Sequence, residues 1–162
     1  MIQVGDKLPA GTLKEFIEVE TEGCSLGPND IDIGKAVAGK TIALLGLPGA
    51  FTPTCSAKHV PGYIAQFDAL RGAGVDEIWC VSVNDAFVMG AWCKEHKADD
   101  KVVMLGDGSC ELTQALGLTV DRTEAGMGIR SQRYSMIVDN GVVTELNVEP
   151  SGEYGVSSAE AM

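Results

Sequence analysis

Short apolar runs alternate with helical patterns along most of this chain. Residues 41–46 form an apolar run with the length of a strand that is buried on both faces. Residues 77–83 and 102–105 form two further runs of this kind. Between them, hydrophobic residues recur every three or four positions, which predicts amphipathic helices over 54–72 and after Asp85. The order of strands and helices predicts a sheet that is parallel at its centre.

The helix boundaries follow from capping residues. The first helix is expected to begin near Thr54 and to end by Gly72 or Gly74. The second is expected to be capped by the pair at positions 84–85. Its apolar face is expected to carry Phe87, Val88, Ala91 and Trp92.

Turn-forming residues mark the start of the chain. Residues 12–20 are expected to form a partly exposed strand. Residues 22–34 are rich in Gly, Asp and Pro, which predicts a loop that leads into a short helix.

The second half of the chain ends in a predicted hairpin. A short helix is expected around Leu112, followed by a loop over residues 119–132. Residues 133–138 and 142–146 are apolar runs that flank Asn140-Gly141, and this dipeptide is the strongest short signal for a β-hairpin.

Together these elements predict one α/β domain over residues 1–162, with a central mixed sheet flanked by helices. This layout resembles a thioredoxin-like fold. Ser157 and Glu160 have the spacing of a capping box, yet two residues follow them, which favours a truncated or disordered carboxyl end.

The charge of the chain excludes some classes of function. The net charge is -11 at pH 7. An acidic surface of this kind repels phosphate backbones and anionic lipids, so neither nucleic acid nor a membrane is an expected partner. The chain has no apolar run long enough for a membrane helix. Its first residues resemble neither a secretory signal nor an Arg-rich transit peptide.

The five cysteines favour a reducing compartment, and we expect the cytoplasm. Their number is odd, and their spacing fits no disulfide framework. They are Cys24, Cys55, Cys80, Cys93 and Cys110.

Cys55 has the sequence context of a reactive thiol. It follows a strand and a Pro- and Gly-containing turn, and it is expected in the first turn of a helix. The unpaired N–H groups and the positive end of the dipole stabilise a thiolate there. A drop in pKa from about 8.5 to about 6 would raise the thiolate fraction at pH 7 from about 3% to about 90%. The alternative is a small buried residue with no chemistry.

Four segments resemble the peroxiredoxins. Residues 48–55 read Pro-Gly-Ala-Phe-Thr-Pro-Thr-Cys, which matches the P-x-x-x-T/S-x-x-C signature and is similar to the peroxiredoxin-5 (type II) subfamily. Residues 81–88, 133–136 and 147–150 are similar to further segments of that subfamily. Arg130 lies near the third of these segments but outside its Arg-Tyr-Ser-Met match.

The resemblance implies a role for each site residue. Cys55 is implied as the peroxidatic cysteine, whose thiolate reduces hydrogen peroxide and alkyl hydroperoxides. Thr52 is implied to hydrogen-bond the thiolate and the substrate, and Arg133 to lower the thiol pKa and orient the peroxide. Pro48 is implied to shield the loop from water. His59 falls one helical turn after Cys55, and it either hydrogen-bonds near the site or is structural.

The resemblance also implies how Cys55 is regenerated. Some members carry a resolving cysteine near the carboxyl end, but residues 151–158 contain none. Other members have a second cysteine at the position that Cys80 occupies. Because Cys80 is expected in the middle of a buried strand, a bond to Cys55 would need local unfolding. We therefore expect an external thiol, with glutathione and glutaredoxin favoured over thioredoxin.

The resemblance implies a homodimer with no cofactor and no metal. Three other functions compete with this interpretation. A disulfide oxidoreductase would need C-x-x-C, which residues 52–55 lack. Residues 93–96 look like half of a zinc site without a second pair. A stoichiometric redox sensor could use the same thiol.

Overall fold

The computed structural model describes residues 2–19, 25–50, 60–96 and 102–149. A short 3-10 turn, Thr123–Ala125, lies between two of the later strands. In chain order the strands and α-helices of this part are β1 (Thr12–Val19), β2 (Ser25–Asp32), α1 (Ile33–Val37), β3 (Thr41–Leu47), α2 (Val60–Ala65), α3 (Phe67–Gly72), β4 (Glu77–Ser82), α4 (Ala86–His96), β5 (Val103–Gly106), α5 (Glu111–Leu116), β6 (Thr119–Arg122), β7 (Gly128–Ser131), β8 (Tyr134–Asp139) and β9 (Val142–Val148).

A mixed sheet forms the centre of the fold. Within the described residues it has seven strands in the order β2-β1-β5-β4-β3-β8-β9, while β6 and β7 pair separately. The three central strands, β3, β4 and β5, are parallel. Antiparallel strands complete the sheet on both sides. The predicted thioredoxin-like α/β architecture is thereby confirmed.

Strand β3 is buried on both faces, as its uninterrupted apolar run predicts. Ile42 and Leu44 belong to one hydrophobic cluster, and Ala43 and Leu45 belong to the other. Because successive side chains of a strand point to opposite faces, these clusters cover the two sides of the sheet. The core thus holds the central strands rigidly, and the strand ends provide fixed positions for side chains.

The prediction of a loop over residues 22–34 is wrong for its described part. Residues 25–32 form β2, which pairs with β1 in an antiparallel register from Thr12↔Asp32 to Val19↔Ser25. Lys14 and Asp30 face each other in this register and form an ion pair. Strand β2 is the outer strand of the sheet, where turn-forming residues and proline are tolerated. The expected short helix follows as α1.

The prediction of a loop over residues 119–132 is also wrong. Strands β6 and β7 form a small antiparallel hairpin from Thr119↔Ser131 to Arg122↔Gly128. The backbone N–H of Gln132 donates to the carbonyl of Leu118 at 2.7 Å and extends the pairing. Each of these strands has four residues, and neither contains the strict alternation of apolar and polar residues that indicates a strand.

The two predicted helices differ in detail from the expectation. The helix predicted over 54–72 is divided at Gln66 into α2 and α3, and its predicted start lies outside the described residues. In α4, Asp85 provides the cap by accepting the backbone N–H of Val88 at 2.8 Å. Phe87 is 57% exposed whereas Trp92 is fully buried, so the two do not share a buried face. Met89 takes the buried position instead, one helical turn before Cys93.

The predicted hairpin of β8 and β9 is confirmed. Asn140 and Gly141 both have positive φ, at 49° and 84°, as the two central residues of a type I′ turn require. The side-chain oxygen of Asn140 also accepts the backbone N–H of Gly39 at 2.7 Å. The turn is therefore fastened to the segment that precedes β3.

The amino-terminal segment lies along the start of β9. The backbone N–H of Gly5 donates to Val143 at 2.7 Å, and that of Leu8 donates to Gly141 at 2.7 Å. In return, the N–H of Val143 donates to the carbonyl of Asp6 at 2.9 Å. Strand β9 is the last strand of the sheet, so this segment pairs with the start of its open edge. None of the helices in the described part is long and apolar enough to span a bilayer.

Candidate active site

The carboxyl ends of the parallel strands meet at one edge of the sheet. Leu47 of β3 pairs with Ser82 of β4, which pairs with Gly106 of β5. Strand β8 runs in the opposite direction and begins at this edge, where Tyr134 pairs with Gly46. In open α/β sheets this is the edge at which ligands bind.

Two of the six predicted site residues lie at this edge. Pro48 follows Leu47 directly and is half-buried. Arg133 precedes Tyr134, so the antiparallel register places it beside the end of β3. Its backbone carbonyl accepts the N–H of Glu149 at 2.8 Å, which joins the start of β8 to the end of β9. The structure therefore brings Pro48 and Arg133 to one place from positions that are far apart in the chain.

The third described residue of the set is Cys80, which lies apart from the edge. It is fully buried in the middle of β4, between Leu45 and Met104 on the neighbouring strands. The prediction of a buried, mid-strand position is confirmed. Three members of the predicted set, Cys55, Thr52 and His59, lie outside the described residues.

Asn84 connects two of the strand ends. Its side-chain oxygen accepts the backbone N–H of Ala50 at 2.9 Å and the hydroxyl of Ser82 at 2.6 Å. A backbone N–H is a donor only, so the amide oxygen must be the atom that faces Ala50. Of the pair at positions 84–85 that is predicted to cap α4, Asp85 provides the cap and Asn84 makes these contacts instead. The contact spans 34 residues of sequence and leaves no local signal.

Arg130 also holds the connection between β4 and α4. Its Nε donates to the carbonyl of Met127 at 2.8 Å, and one of its terminal nitrogens donates to the carbonyl of Val83 at 3.1 Å. The guanidinium thus ties β7 to the residue that precedes Asn84. These two hydrogen bonds give Arg130 a structural role at the end of β4.

Asp107 fixes the end of β5. Its carboxylate is 4% exposed and accepts the backbone N–H of Leu112 at 3.2 Å. It also accepts the backbone N–H and the hydroxyl of Thr113, at 2.8 and 2.7 Å. Three donors stabilise this buried carboxylate and hold the first turn of α5 against the sheet. No role was predicted for Asp107, although an acidic residue shortly before a helix is a capping signal.

Tyr134 packs over Gly46 at the same edge. Its side chain is fully buried, and no described group lies within hydrogen-bond distance of its hydroxyl. Burial raises the pKa of Tyr134, and the nearby Asp107 and Cys80 raise it further. The phenol therefore stays neutral and serves as packing beside Arg133.

Metal binding has no support among the described residues. No group of three or more His, Cys, Asp or Glu side chains in this part of the chain could hold a metal ion. Cys93, from the segment that looks like half of a zinc site, is partly buried and packs against the core.

Comparison with known proteins shows similarity along almost the whole chain. A family model described as Redoxin matches residues 3–162. Peroxiredoxin-2D of Arabidopsis thaliana is 46% identical over an alignment that covers 98% of this chain and 94% of that protein.

Solved structures show the same similarity. Reduced Prx3 from Vibrio vulnificus, in complex with H2O2, superposes with a TM-score of 0.90 at 48% identity, covering 99% of this chain and 96% of that one. A Burkholderia cenocepacia protein superposes with a TM-score of 0.95 at 58% identity, covering 99% and 95%. Its name assigns it provisionally to the thioredoxin reductases. The C-x-x-C pair of a disulfide oxidoreductase is missing from the present sequence.

Proposed function

The chain belongs to the redoxin family and, within it, to the peroxiredoxins, and on this premise we propose that Cys55 is the residue whose thiolate reduces the peroxide. Peroxidase activity follows from membership of the family. The proposal concerns the residues that perform the reaction and the thiol that completes the cycle.

In the proposed reaction the Cys55 thiolate attacks one oxygen of the peroxide. The O–O bond breaks as the S–O bond forms, and the sulfur is oxidised to a sulfenic acid. The other oxygen leaves as hydroxide or alkoxide and takes up a proton to give water or an alcohol. The Thr52 hydroxyl hydrogen-bonds both the thiolate and the substrate, with its one proton to donate and its oxygen to accept. Arg133 stabilises the charge on the sulfur and on the departing oxygen.

The position of Arg133 carries this proposal. It lies beside the end of β3, and Cys55 follows Leu47 within the next eight residues of the chain. Cys55 thus belongs to the segment that continues from β3 at this edge, where Ala50 is the last described residue. Pro48, half-buried at the same edge, is suited to limit the access of water to the segment.

The burial of Cys80 supports an external reductant. A sulfenic acid at Cys55 needs a thiol that can reach it, and the Cys80 side chain is 0% exposed in the middle of β4. We favour glutathione with glutaredoxin as the reductant over thioredoxin. A thiol from outside can attack the oxidised sulfur without opening the sheet.

Two further features of the function are part of the proposal. A homodimer that uses the face near the Cys55 segment is supported by Phe87 and Ile129, which are large apolar residues exposed at 57% and 42%. Sedimentation of the wild type against Phe87→Asp tests this face, and a dimer that survives unchanged contradicts it.

A reducing compartment, the cytoplasm, is supported by the odd set of cysteines.

Peroxide consumption by matched variants tests the site. We expect Cys55→Ser to be inactive, and Thr52→Val and Arg133→Gln to lose activity by about 10²-fold or more. The control is Arg71→Gln, because Arg71 bonds the carbonyl of Asp76 before β4, at the opposite end of the sheet. Full activity in Arg133→Gln, or equal losses in both arginine variants, contradicts the assignment.

The reductant is tested by trying each thiol system separately. Cys80→Ser is expected to keep most of its activity with glutathione and glutaredoxin, because the side chain is buried away from the edge. Complete loss of turnover in Cys80→Ser, with a normal first oxidation of Cys55, would make Cys80 a participant. Turnover with thioredoxin alone would replace the favoured reductant.

A further inference from the structure

We propose that Asn84 is a positioning residue of the peroxidase, which sets the place of the Cys55 segment by holding the backbone of Ala50. The inference rests on the proposed role of Cys55. Ala50 is the last described residue before positions 51–59, and it lies five residues before the cysteine. An anchor at Ala50 therefore fixes the point from which the chain runs to the reacting thiol.

The contact is directional and partly buried. The Ala50 N–H and the Ser82 hydroxyl both donate to the Asn84 side-chain oxygen, at 2.9 and 2.6 Å. Ser82 is fully buried, so water does not compete for its hydroxyl. With two donors on one oxygen, the amide has a single favourable orientation. The oxygen thus joins the end of β4 to the segment that continues β3.

Asn84 is itself held from three sides. Arg130 donates to the carbonyl of Val83 just before it, and Asp85 just after it caps α4. The carbonyl of Asn84 packs against Gly106, where an added Cβ would come within 2.7 Å of that oxygen. The anchor is therefore part of the rigid framework, which makes it suitable for transmitting a fixed position to Ala50.

Such an anchor matters because the reacting groups come from separate segments. Arg133 lies at the start of β8, whereas Cys55 and Thr52 follow β3. Their relative placement depends on how the segment after Leu47 leaves the sheet. Catalytic groups have to be held to within about 0.5 Å, and an error of about 1 Å can cost about 10²-fold in rate.

The test compares two reactions of the same thiol. Asn84→Ala removes the acceptor, and the rate of Cys55 with H2O2 per thiolate is expected to fall about 10- to 100-fold. Alkylation by iodoacetamide needs a thiolate but no aligned donors, so its rate per thiolate is expected to change less than about threefold. The thiolate fraction is measured by its ultraviolet absorbance as a function of pH.

Two further variants separate positioning from stability. Asn84→Asp keeps an oxygen acceptor in place, and it is expected to recover the peroxide rate per thiolate to within about threefold of the wild type. Asn140→Ala is the matched control. Like Asn84→Ala, it removes an amide oxygen that accepts a backbone N–H, in this case the N–H of Gly39 at the other end of β3. It also places alanine at a φ of 49°. It is expected to lower stability and leave the peroxide rate unchanged.

The outcomes are distinct. A normal peroxide rate in Asn84→Ala, or an equal loss in Asn140→Ala, overturns the inference while the function of Cys55 stands. A wild-type protein whose Cys55 does not react with H2O2 overturns the proposed function and this inference with it. If Asn84→Ala does not fold, Ser82→Ala replaces it. That variant removes one of the two donors, and its peroxide rate per thiolate is expected to fall about 3- to 10-fold.

Discussion

The contact between Gly46 and Tyr134 gives a sharp test of the packing at the active-site edge. In Gly46→Ala the new Cβ would lie 2.1 Å from Cε1 of Tyr134, 2.3 Å from Cζ and 2.7 Å from the hydroxyl oxygen. Ordinary contact begins at 3.4 Å, so the nearest ring atom has to move by about 1.3 Å. The ring is fully buried, and the close packing of protein interiors resists such a movement.

The expected cost follows from these distances. Overpacking of a core costs about 1–3 kcal/mol, and an off-rotamer ring adds about 0.5–1.5 kcal/mol. We therefore expect Gly46→Ala to lower the free energy of unfolding by about 3 kcal/mol. Urea unfolding followed by the fluorescence of the buried Trp79 and Trp92 measures it. Gly72→Ala is the control, since its added Cβ would meet nothing within 4 Å and its stability should change by less than about 1 kcal/mol.

A double-mutant cycle identifies the ring as the cause. Tyr134→Ala alone is expected to cost about 3–5 kcal/mol through the cavity that it leaves. In the combined variant the methyl group of Gly46→Ala occupies part of that cavity, so the two losses should fall short of their sum by about 2 kcal/mol or more. Additive losses, or a loss below about 1 kcal/mol in Gly46→Ala alone, would refute the steric explanation.

Three other variants test neighbouring features of the same edge. Tyr134→Phe removes a buried hydroxyl without a described partner and should stabilise the fold by about 1 kcal/mol. Because burial raises the pKa of Tyr134, the wild type loses stability as the pH rises above the unfolded pKa of about 10. The advantage of Tyr134→Phe in urea unfolding should therefore widen between about pH 9 and pH 11, and a constant advantage would contradict this explanation. Asp107→Ala leaves the donors of Thr113 and its neighbour unpaired, and a loss of about 3 kcal/mol is expected in thermal unfolding; an unchanged Tm would contradict the role of the cap. Gly106→Ala presses a Cβ against backbone atoms of residues 84–86, so both stability and peroxide rate should fall, and a variant that loses neither would show that this backbone can yield.

The strands with long apolar runs were predictable because burial on both faces imposes a strong pattern. Strand β3 and the hairpin at Asn140-Gly141 follow directly from such local signals. Strand β2 and the hairpin of β6 and β7 have no comparable signal. Their pairing depends on partners elsewhere in the chain, and pairing of this kind outweighs local propensity.

The candidate site also contains some features that have a local sequence signal and one that has none. The residue types and spacing around Cys55 predict the chemistry, and the register of β8 places Arg133 beside the end of β3, from which the Cys55 segment continues. The contact of Asn84 with Ala50 could not be predicted, because an asparagine before a helix is normally interpreted as its cap. In this chain Asp85 performs the capping and leaves Asn84 available for a partner from another strand end.

The pairing of the amino-terminal segment with β9 has a consequence for solubility. An outer strand with unpaired N–H and C=O groups is a template for cross-chain association, and residues 5–8 already occupy such groups at Gly141 and Val143. These first residues thus limit the pairing of β9 with a strand of another chain. A chain shortened by residues 2–8 is expected to scatter more light on storage at high concentration. Equal scattering by both chains would show that β9 needs no such cover.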